Sequence, residues 1–377
     1  MRIVIDTHAI GSGLTGNERY IQNLAEHLLA LDGKNEYYFF FSEEQVRRQW
    51  ENRAPNLRAG LVSRNPYRRL GLDFVVQLLR LRPQVFHYQY TGPPIQLSPE
   101  VVTIHDVSFE EHPEFFPRRE RLRLRLTVRR AVRSARKIIT VSEFSKAEII
   151  RLLNVPEQKI KVIYNGVGPE FRPIRDQEAM RRHLERYGLQ GPYFLAVGNI
   201  CRRKNQQAMV RGFARWLERE PDCPQRLVLV GKPDIGAEDL LREIARLGLD
   251  SSRVALLGFA ADEDLPFLYA GAELLLHTSL YEGFGLPVVE AMACGLPVVL
   301  SRASCFPEIA ANAAWYVNAG DPADIAAAIA EILGNATLRE ERVQLGFARA
   351  QCFRWDVAAR ETLKVYTEVA GDAGART

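Results

Sequence analysis

The feature that most restricts this chain is a repeated alternation of short apolar runs with polar loops and helically spaced stretches. RIVID, GSGLTGNERY and YIQNLAEHLLAL read as strand, glycine-rich turn and helix, the opening unit of a parallel α/β sheet. EYYFFF, PQVFHYQY, VVTIHDVS and KIITVS read as further strands. The helix EFSKAEIIRLL and a last strand, KIKVIYNGV, follow. None of these runs alternates cleanly between apolar and polar residues, as expected when helices cover both faces of a sheet.

After the polar, proline-bounded segment GPEFRPIRDQEAMRRHLERYGLQGP the series begins again. PYFLAVGN, RLVLVG, RVALLGF, ELLLHTS, LPVVLS and AAWYV read as strands. NQQAMVRGFARWLERE, GAEDLLREIARLG, DLPFLYAGA, PVVEAMACG and DPADIAAAIAEIL read as helices between them. A chain of 377 residues suits two domains, assigned to 1–170 and 171–350. The amphipathic tail, 351–371, is expected to pack back on the first domain, and GDAGART reads as disordered. Two doubly wound domains facing across a cleft place ligands beyond the carboxyl ends of the strands. The chemistry is therefore sought in the loops.

Fifty basic and 46 acidic residues leave a net charge of +4, which suits anionic ligands or membrane headgroups and does not mark a nucleic-acid binder. No apolar run is long enough for a signal peptide or a spanning helix. The five cysteines are scattered and read as the reduced thiols of a cytoplasmic protein. No structural metal is expected from cysteines and histidines so dispersed.

Four loops carry candidate chemistry. GSGLTG, with Gly11, Gly13 and Gly16, can bring backbone amides to an anion at a helix start, or serve only as a turn. His105 and Asp106 lie just past a buried strand, where a histidine can donate a hydrogen bond. In VGNICRRKN, Arg202, Arg203 and Lys204 follow a strand, and suit a diphosphate or a solvated basic turn. In YEGFGLPVVEAMACG, Glu282 and Glu290 flank a bare loop. Gly283 and Gly285 permit close backbone approach, the amides of Phe284, Gly285 and Leu286 can face an oxygen-rich ligand, and Pro287 suits a first helical position. A carboxylate accepts hydrogen bonds from vicinal hydroxyls. Cations for a diphosphate and acids for polyols together suggest a sugar nucleotide.

EGFGLPVVEAMACGLPVV, with SRASCFPEI, VSEFSKAEI, VIYNGV, VGNICRRKN, HDVSF and the tail FRWDVAARETLKVY, resembles retaining GT-B glycosyltransferases of glycosyltransferase family 4, especially mannosyltransferase-like members. The resemblance implies two Rossmann-like domains and hexosyl transfer from a nucleotide diphosphate sugar, GDP-mannose by subfamily likeness. The acceptor it implies is a glycan or polyprenyl-linked glycan, and no metal or other cofactor is implied. His105 matches the histidine near the reacting centre, and Glu282 the glutamate near the transferred sugar. Arg203 and Lys204 match the diphosphate-binding pair, and Glu290 the ribose-binding acid. Phe284, Gly285 and Leu286 match the sugar and phosphate amides, and Gly16 a loop glycine beside the diphosphate. Two positions depart from the pattern. Glu18 stands where many relatives have a second glycine, and Asn199 where many have arginine, a load assigned to Arg203.

PRRERLRLRLTVRRAVRSARK, 117–137, carries ten basic residues and one glutamate. Leu122 and Leu126 are expected on one helical face with Val132 near it, giving either an anionic membrane contact on the cytoplasmic face or a solvated helix covering the first domain. The rival functions are a UDP-sugar-dependent glucosyl- or N-acetylglucosaminyltransferase, a nucleotide-sugar epimerase and an inactive nucleotide-sugar-binding protein. A nicotinamide dehydrogenase is weakened by the poor dinucleotide fingerprint, and a pyridoxal-dependent phosphorylase by the lack of a suitable lysine segment.

Overall fold

The computed structural model describes residues 1–13 and 15–374. The chain divides into two compact units, Met1–Gly166 with Arg354–Thr377, and Val167–Phe353. The first contains β1 (Arg2–Asp6), β2 (Glu36–Phe41), β3 (Leu57–Leu61), β4 (Val85–Gln89), β5 (Glu100–Thr103), β6 (Lys137–Thr140) and β7 (Ile160–Val162). They form one parallel sheet in the order β3-β2-β1-β4-β5-β6-β7. Strand order reverses between β1 and β4, and this opens a crevice at their carboxyl ends.

Strand β1 lies between β2 and β4, so Ile3, Val4 and Ile5 are fully buried. Strand β3 is absent from the sequence reading because LRAGL is an edge strand with one buried residue, Leu57, and no continuous apolar run. Ser142 caps the helix Glu143–Leu153 by accepting the Ser145 amide at 3.0 Å. The helix Trp355–Gly374 packs on Thr15–Leu31 and on the sheet. Its Val365, Tyr366 and Val369 are buried. Gly371 to Gly374 were expected to begin a disordered tail, but they continue this helix, carried by its docked upstream turns. Residues 375–377 of that expected tail lie outside the described residues.

A buried polar chain ties the C-terminal helix to the sheet. His87 Nδ1 lies 2.5 Å from Tyr366 Oη and His87 Nε2 lies 2.7 Å from Thr103 Oγ1. Thr103 Oγ1 in turn lies 3.0 Å from Tyr20 Oη.

The helix Arg118–Ser134 exposes Leu122 and Leu126, at 57% and 65%. Val132, expected near that face, is buried with Val128 and Ala131. Ten residues make just under three helical turns, so Val132 falls about 80° short of Leu122, toward the core.

The second unit contains β8 (Tyr193–Val197), β9 (Arg226–Val230), β10 (Val254–Gly258), β11 (Leu274–His277), β12 (Val298–Ser301) and β13 (Ala314–Val317), ordered β10-β9-β8-β11-β12-β13. Here the reversal falls between β8 and β11. Phe213 and Trp216 of the helix Gln206–Leu217 form a ring cluster with Phe194 of β8. That helix crosses Pro322–Gly334 closely at Gly212, where a Cβ would meet Ile325 Cγ2 at 2.4 Å.

Burial pushes the His87 imidazole down to about 3; neighbouring His105 adds to this and Asp6 opposes it. The unfolded chain takes up a proton near pH 6.5, whereas the folded ring stays neutral until far lower pH. The stability His87 contributes is therefore complete above pH ~6.5 and falls with pH at about 1.4 kcal/mol per unit. His87→Gln is expected to flatten the acid slope of urea-unfolding free energy between pH ~6.5 and ~4 by about that amount. Parallel curves for the variant and the parent protein would contradict this.

Candidate functional site

The reversal between β8 and β11 brings two loops of the second unit together. After β8, Gly198 takes φ +139° and lies beneath Lys204, so a Cβ there would come within 3.1 Å of Lys204 Cε. Arg202–Lys204 form a single 3-10 turn, and Asn205 follows in the left-handed region at φ +57°. The Asn205 side chain donates to Thr278 O at 3.2 Å and Ala319 O at 3.1 Å, tying down the loops after β11 and β13.

After β11, the chain runs through Thr278 to Gly285 into the helix Leu286–Ala293. Gly285, at φ +83°, is its N-cap, and a Cβ there would meet the Phe306 ring at 2.9 Å. Pro287 stands one residue later than expected, still within the first turn, where its missing N–H costs nothing. Phe284 is buried with its ring edge-on to Phe353 at 5.4 Å. Ser304 Oγ accepts the Glu282 amide at 3.2 Å and Ser279 O accepts from Ser301 Oγ at 2.6 Å.

Glu282 joins the two loops. Its Oε2 lies 3.0 Å from Arg203 Nη1 and its Oε1 lies 2.5 Å from Lys204 Nζ. The Lys204 and Glu282 side chains are only 11% and 10% exposed, so this pair is shielded from solvent. Arg203 Nη1 also donates to Tyr281 O at 2.8 Å, and Arg203 O accepts the Leu280 amide at 2.9 Å. Burial works to raise the Glu282 carboxyl, but Arg203 and then Lys204 outweigh it and hold the group far below the usual carboxylate range.

His277, the last residue of β11, completes the cluster with Nε2 3.8 Å from Glu282 Oε1. Burial, then Lys204, push its imidazole down to about 3, with Glu282 pulling the other way. The ring is therefore neutral beside two cations. Sequence reasoning missed His277 because it closes an apolar strand. Its only signal was a polar residue at a strand end.

Glu290 lies on the helix Leu286–Ala293 that follows the Glu282 loop, in a different environment. It is buried, and its Oε2 accepts a hydrogen bond from Tyr269 Oη at 2.9 Å. Asn199, where the resemblance expects arginine, has its Oδ1 sealed from solvent without a donor among the described residues, and its carbonyl accepts from Gln206 at 2.9 Å.

His105 and Gly16 belong to the first unit. His105 follows β5 with Nε2 2.7 Å from Gln89 Oε1 and its ring edge-on to Tyr20 at 4.6 Å. Burial pushes it down to about 4, with Asp106 opposing. Gly16 lies in the first turn of Thr15–Leu31, where a Cβ would meet nothing within 4 Å among the described residues. Packing therefore does not demand glycine there. Glu18 closes the preceding loop, its carboxylate accepting the Gly11 amide at 2.7 Å. Among the described residues, no cluster of three histidine, cysteine or acidic side chains is arranged to hold a metal ion.

Family models for "Glycosyltransferase Family 4" and "Glycosyl transferases group 1" match residues 14–171 and 191–335. An Escherichia coli protein named O-antigen chain mannosyltransferase B is 31% identical over 386 residues, covering 97% of this chain and 99% of the relative. The chain belongs to glycosyltransferase family 4. A second relative of this glycosyltransferase, the O-antigen chain mannosyltransferase RfbU of Salmonella typhimurium, is 30% identical over 63% of the chain and 61% of its own length. The fold matches the Anabaena protein HepE, solved with UDP and glucose, at a TM-score of 0.75 and 22% identity, covering 98% of this chain and 100% of that one. It also matches WaaG, described as a glycosyltransferase involved in lipopolysaccharide biosynthesis, at 0.72 and 16%, covering 97% and 100%. The architecture is GT-B.

Removing one cation leaves Glu282 buried and under-compensated. Lys204→Met is expected to destabilise the protein by roughly 3–5 kcal/mol in urea unfolding, and adding Glu282→Gln to recover most of that loss. Simple additivity of the two changes would contradict a direct pair.

Proposed function

We propose that this glycosyltransferase moves a mannosyl group from GDP-mannose to a glycan or lipid-linked glycan, with retention at the anomeric carbon. The observation carrying this reading is the Arg203–Lys204 pair, held by Glu282 at the strand-order reversal of a chain that resembles a mannosyltransferase over its whole length. In this reading the donor diphosphate replaces Glu282 as the counter-charge. Arg203 and Lys204 then stabilise the charge growing on the leaving phosphate, and Glu282 turns to the sugar. Glu290 takes the ribose hydroxyls, while the amides of Gly283, Phe284, Gly285 and Leu286 line the sugar and phosphates. Gly16 leaves room beside the diphosphate, and the neutral His105 gives one hydrogen bond to the transferred sugar.

The departing phosphate accepts the acceptor proton as the new bond forms on the same face. A covalent glycosyl-Glu282 route is disfavoured by the family resemblance, and a trapped glycosyl adduct on Glu282 would decide for it. No metal or other cofactor enters this scheme, since protein cations supply the compensating charge.

A thermal-shift panel tests the donor. GDP-mannose is expected to raise Tm more than GDP, UDP-glucose or UDP-N-acetylglucosamine. A larger shift with a UDP-sugar transfers the reading to that donor class, and failure to release GDP with any glycan acceptor leaves a binding protein instead.

The reading extends to the cytoplasmic face of a membrane bearing a lipid-linked acceptor. The helix Arg118–Ser134 carries eight arginines beside the exposed Leu122 and Leu126, a composition suited to anionic headgroups. No helix among the described residues is long and apolar enough to cross a membrane. Sedimentation with phosphatidylglycerol liposomes at low salt is expected to carry the protein down, with release as salt is raised. Protein left in the supernatant at low salt would remove this part of the reading.

A further inference from the structure

The first unit holds a buried cation with no protein partner. Arg69 is 9% exposed, and its guanidinium makes no hydrogen bond or ion pair among the described residues. Its Nε is sealed from solvent without an acceptor, whereas neither Nη is sealed in this way, so the tips of the fork reach an opening. Arginine carries five donors and no acceptor, and stays charged throughout the working pH range. Such a group is ordinarily buried only against an anion.

A carboxylate within electrostatic range is Asp6, the last residue of β1, and it is already engaged. Asp6 Oδ1 accepts from the His8 amide at 3.1 Å and lies 2.7 Å from His8 Nδ1. Its Oδ2 is sealed without a donor among the described residues. Burial works to raise the Asp6 carboxyl, but His8 and then Arg69 outweigh it and lower the group. Carboxylate and guanidinium thus act on each other through space without bonding. The carboxylate fixes His8, whose ring remains partly exposed. With Nδ1 committed to Asp6, Nε2 is the ring nitrogen left to meet another group.

Asp6 and His8 stand at the carboxyl end of β1, beside its neighbour β4, where strand order reverses. Arg69 opens the Arg69–Asp73 segment that follows β3 and acts on Asp6 through space. A reversal in an open parallel sheet is where ligands bind, and an arginine fork matches an oxyanion in two-point contact.

We propose that Arg69 is an oxyanion-binding residue of the first unit, its Nη groups taking a phosphate of the acceptor while His8, oriented by Asp6, takes an adjoining hydroxyl. The proposal rests on the glycosyl-transfer reading only in naming the ligand as the acceptor. A glycosyl phosphate and a prenyl diphosphate share the required chemistry.

The arginine Nε–H region of the 15N spectrum of the full chain provides the test, with the Arg69 signal identified by its loss in both Arg69→Gln and Arg69→Lys. The probes are mannose 1-phosphate and geranyl diphosphate, with mannose as the uncharged control. A saturable shift of the Arg69 signal with either phosphate, and none with mannose, is expected; the probe that acts identifies the source of the oxyanion. An Arg69 signal unmoved by both phosphates, or moved equally by mannose, would overturn the proposal. Because no nucleotide is used, failure of the GDP-mannose reading would leave this response intact.

Discussion

The second unit is organised around a carboxylate that two cations hold out of water. Glu282 reaches Arg203 and Lys204 from a different strand-end loop, and the contact closes only because β8 and β11 are neighbours. A buried ion pair is weak evidence for stability, because desolvation offsets much of the attraction. A pair kept at the carboxyl edge of a parallel sheet is better understood as a stored charge distribution. The cations are held in place by the carboxylate and its loop, and the proposed donor diphosphate would take over as their counter-charge. The surrounding devices serve that end: Gly198 admits Lys204, Asn205 ties neighbouring loops, and Ser304 holds the Glu282 amide.

Buried neutral histidine is a second recurring theme. His87, His105 and His277 are each pushed well below the usual imidazole range by burial, for different structural ends. His87 ties the C-terminal helix to the first sheet through Tyr366. His277 lies beside two cations and a carboxylate without adding charge. His105 projects past β5 with one nitrogen directed to Gln89. A neutral imidazole gives and accepts hydrogen bonds without drawing a counter-ion into an apolar interior.

Much of this was legible in the sequence, for identifiable reasons. Strands buried on both faces are written as uninterrupted apolar runs, and the loops after them expose Arg203, Lys204 and Glu282 by position alone. Strand β3 escaped because an edge strand with one buried residue leaves no such run. The Glu282 clamp escaped because sequence spacing does not show that loops some 78 residues apart meet. Asp6 read as the end of a strand, and Arg69 was one arginine in a basic stretch. Only the fold shows that one has a sealed carboxylate oxygen and that the other is buried without a bonded partner among the described residues. Val132, expected near the Leu122 face, turns toward the core because ten residues leave it about 80° short of Leu122.

The most direct measurement is a crystal structure of the full chain with GDP-mannose or a non-transferable analogue bound. Diphosphate oxygens are expected within hydrogen-bonding distance of Arg203 and Lys204, with Glu282 turned from Lys204 toward the mannosyl hydroxyls. A nucleotide bound elsewhere in the second unit, with the Lys204–Glu282 contact still at its ligand-free 2.5 Å, would contradict it.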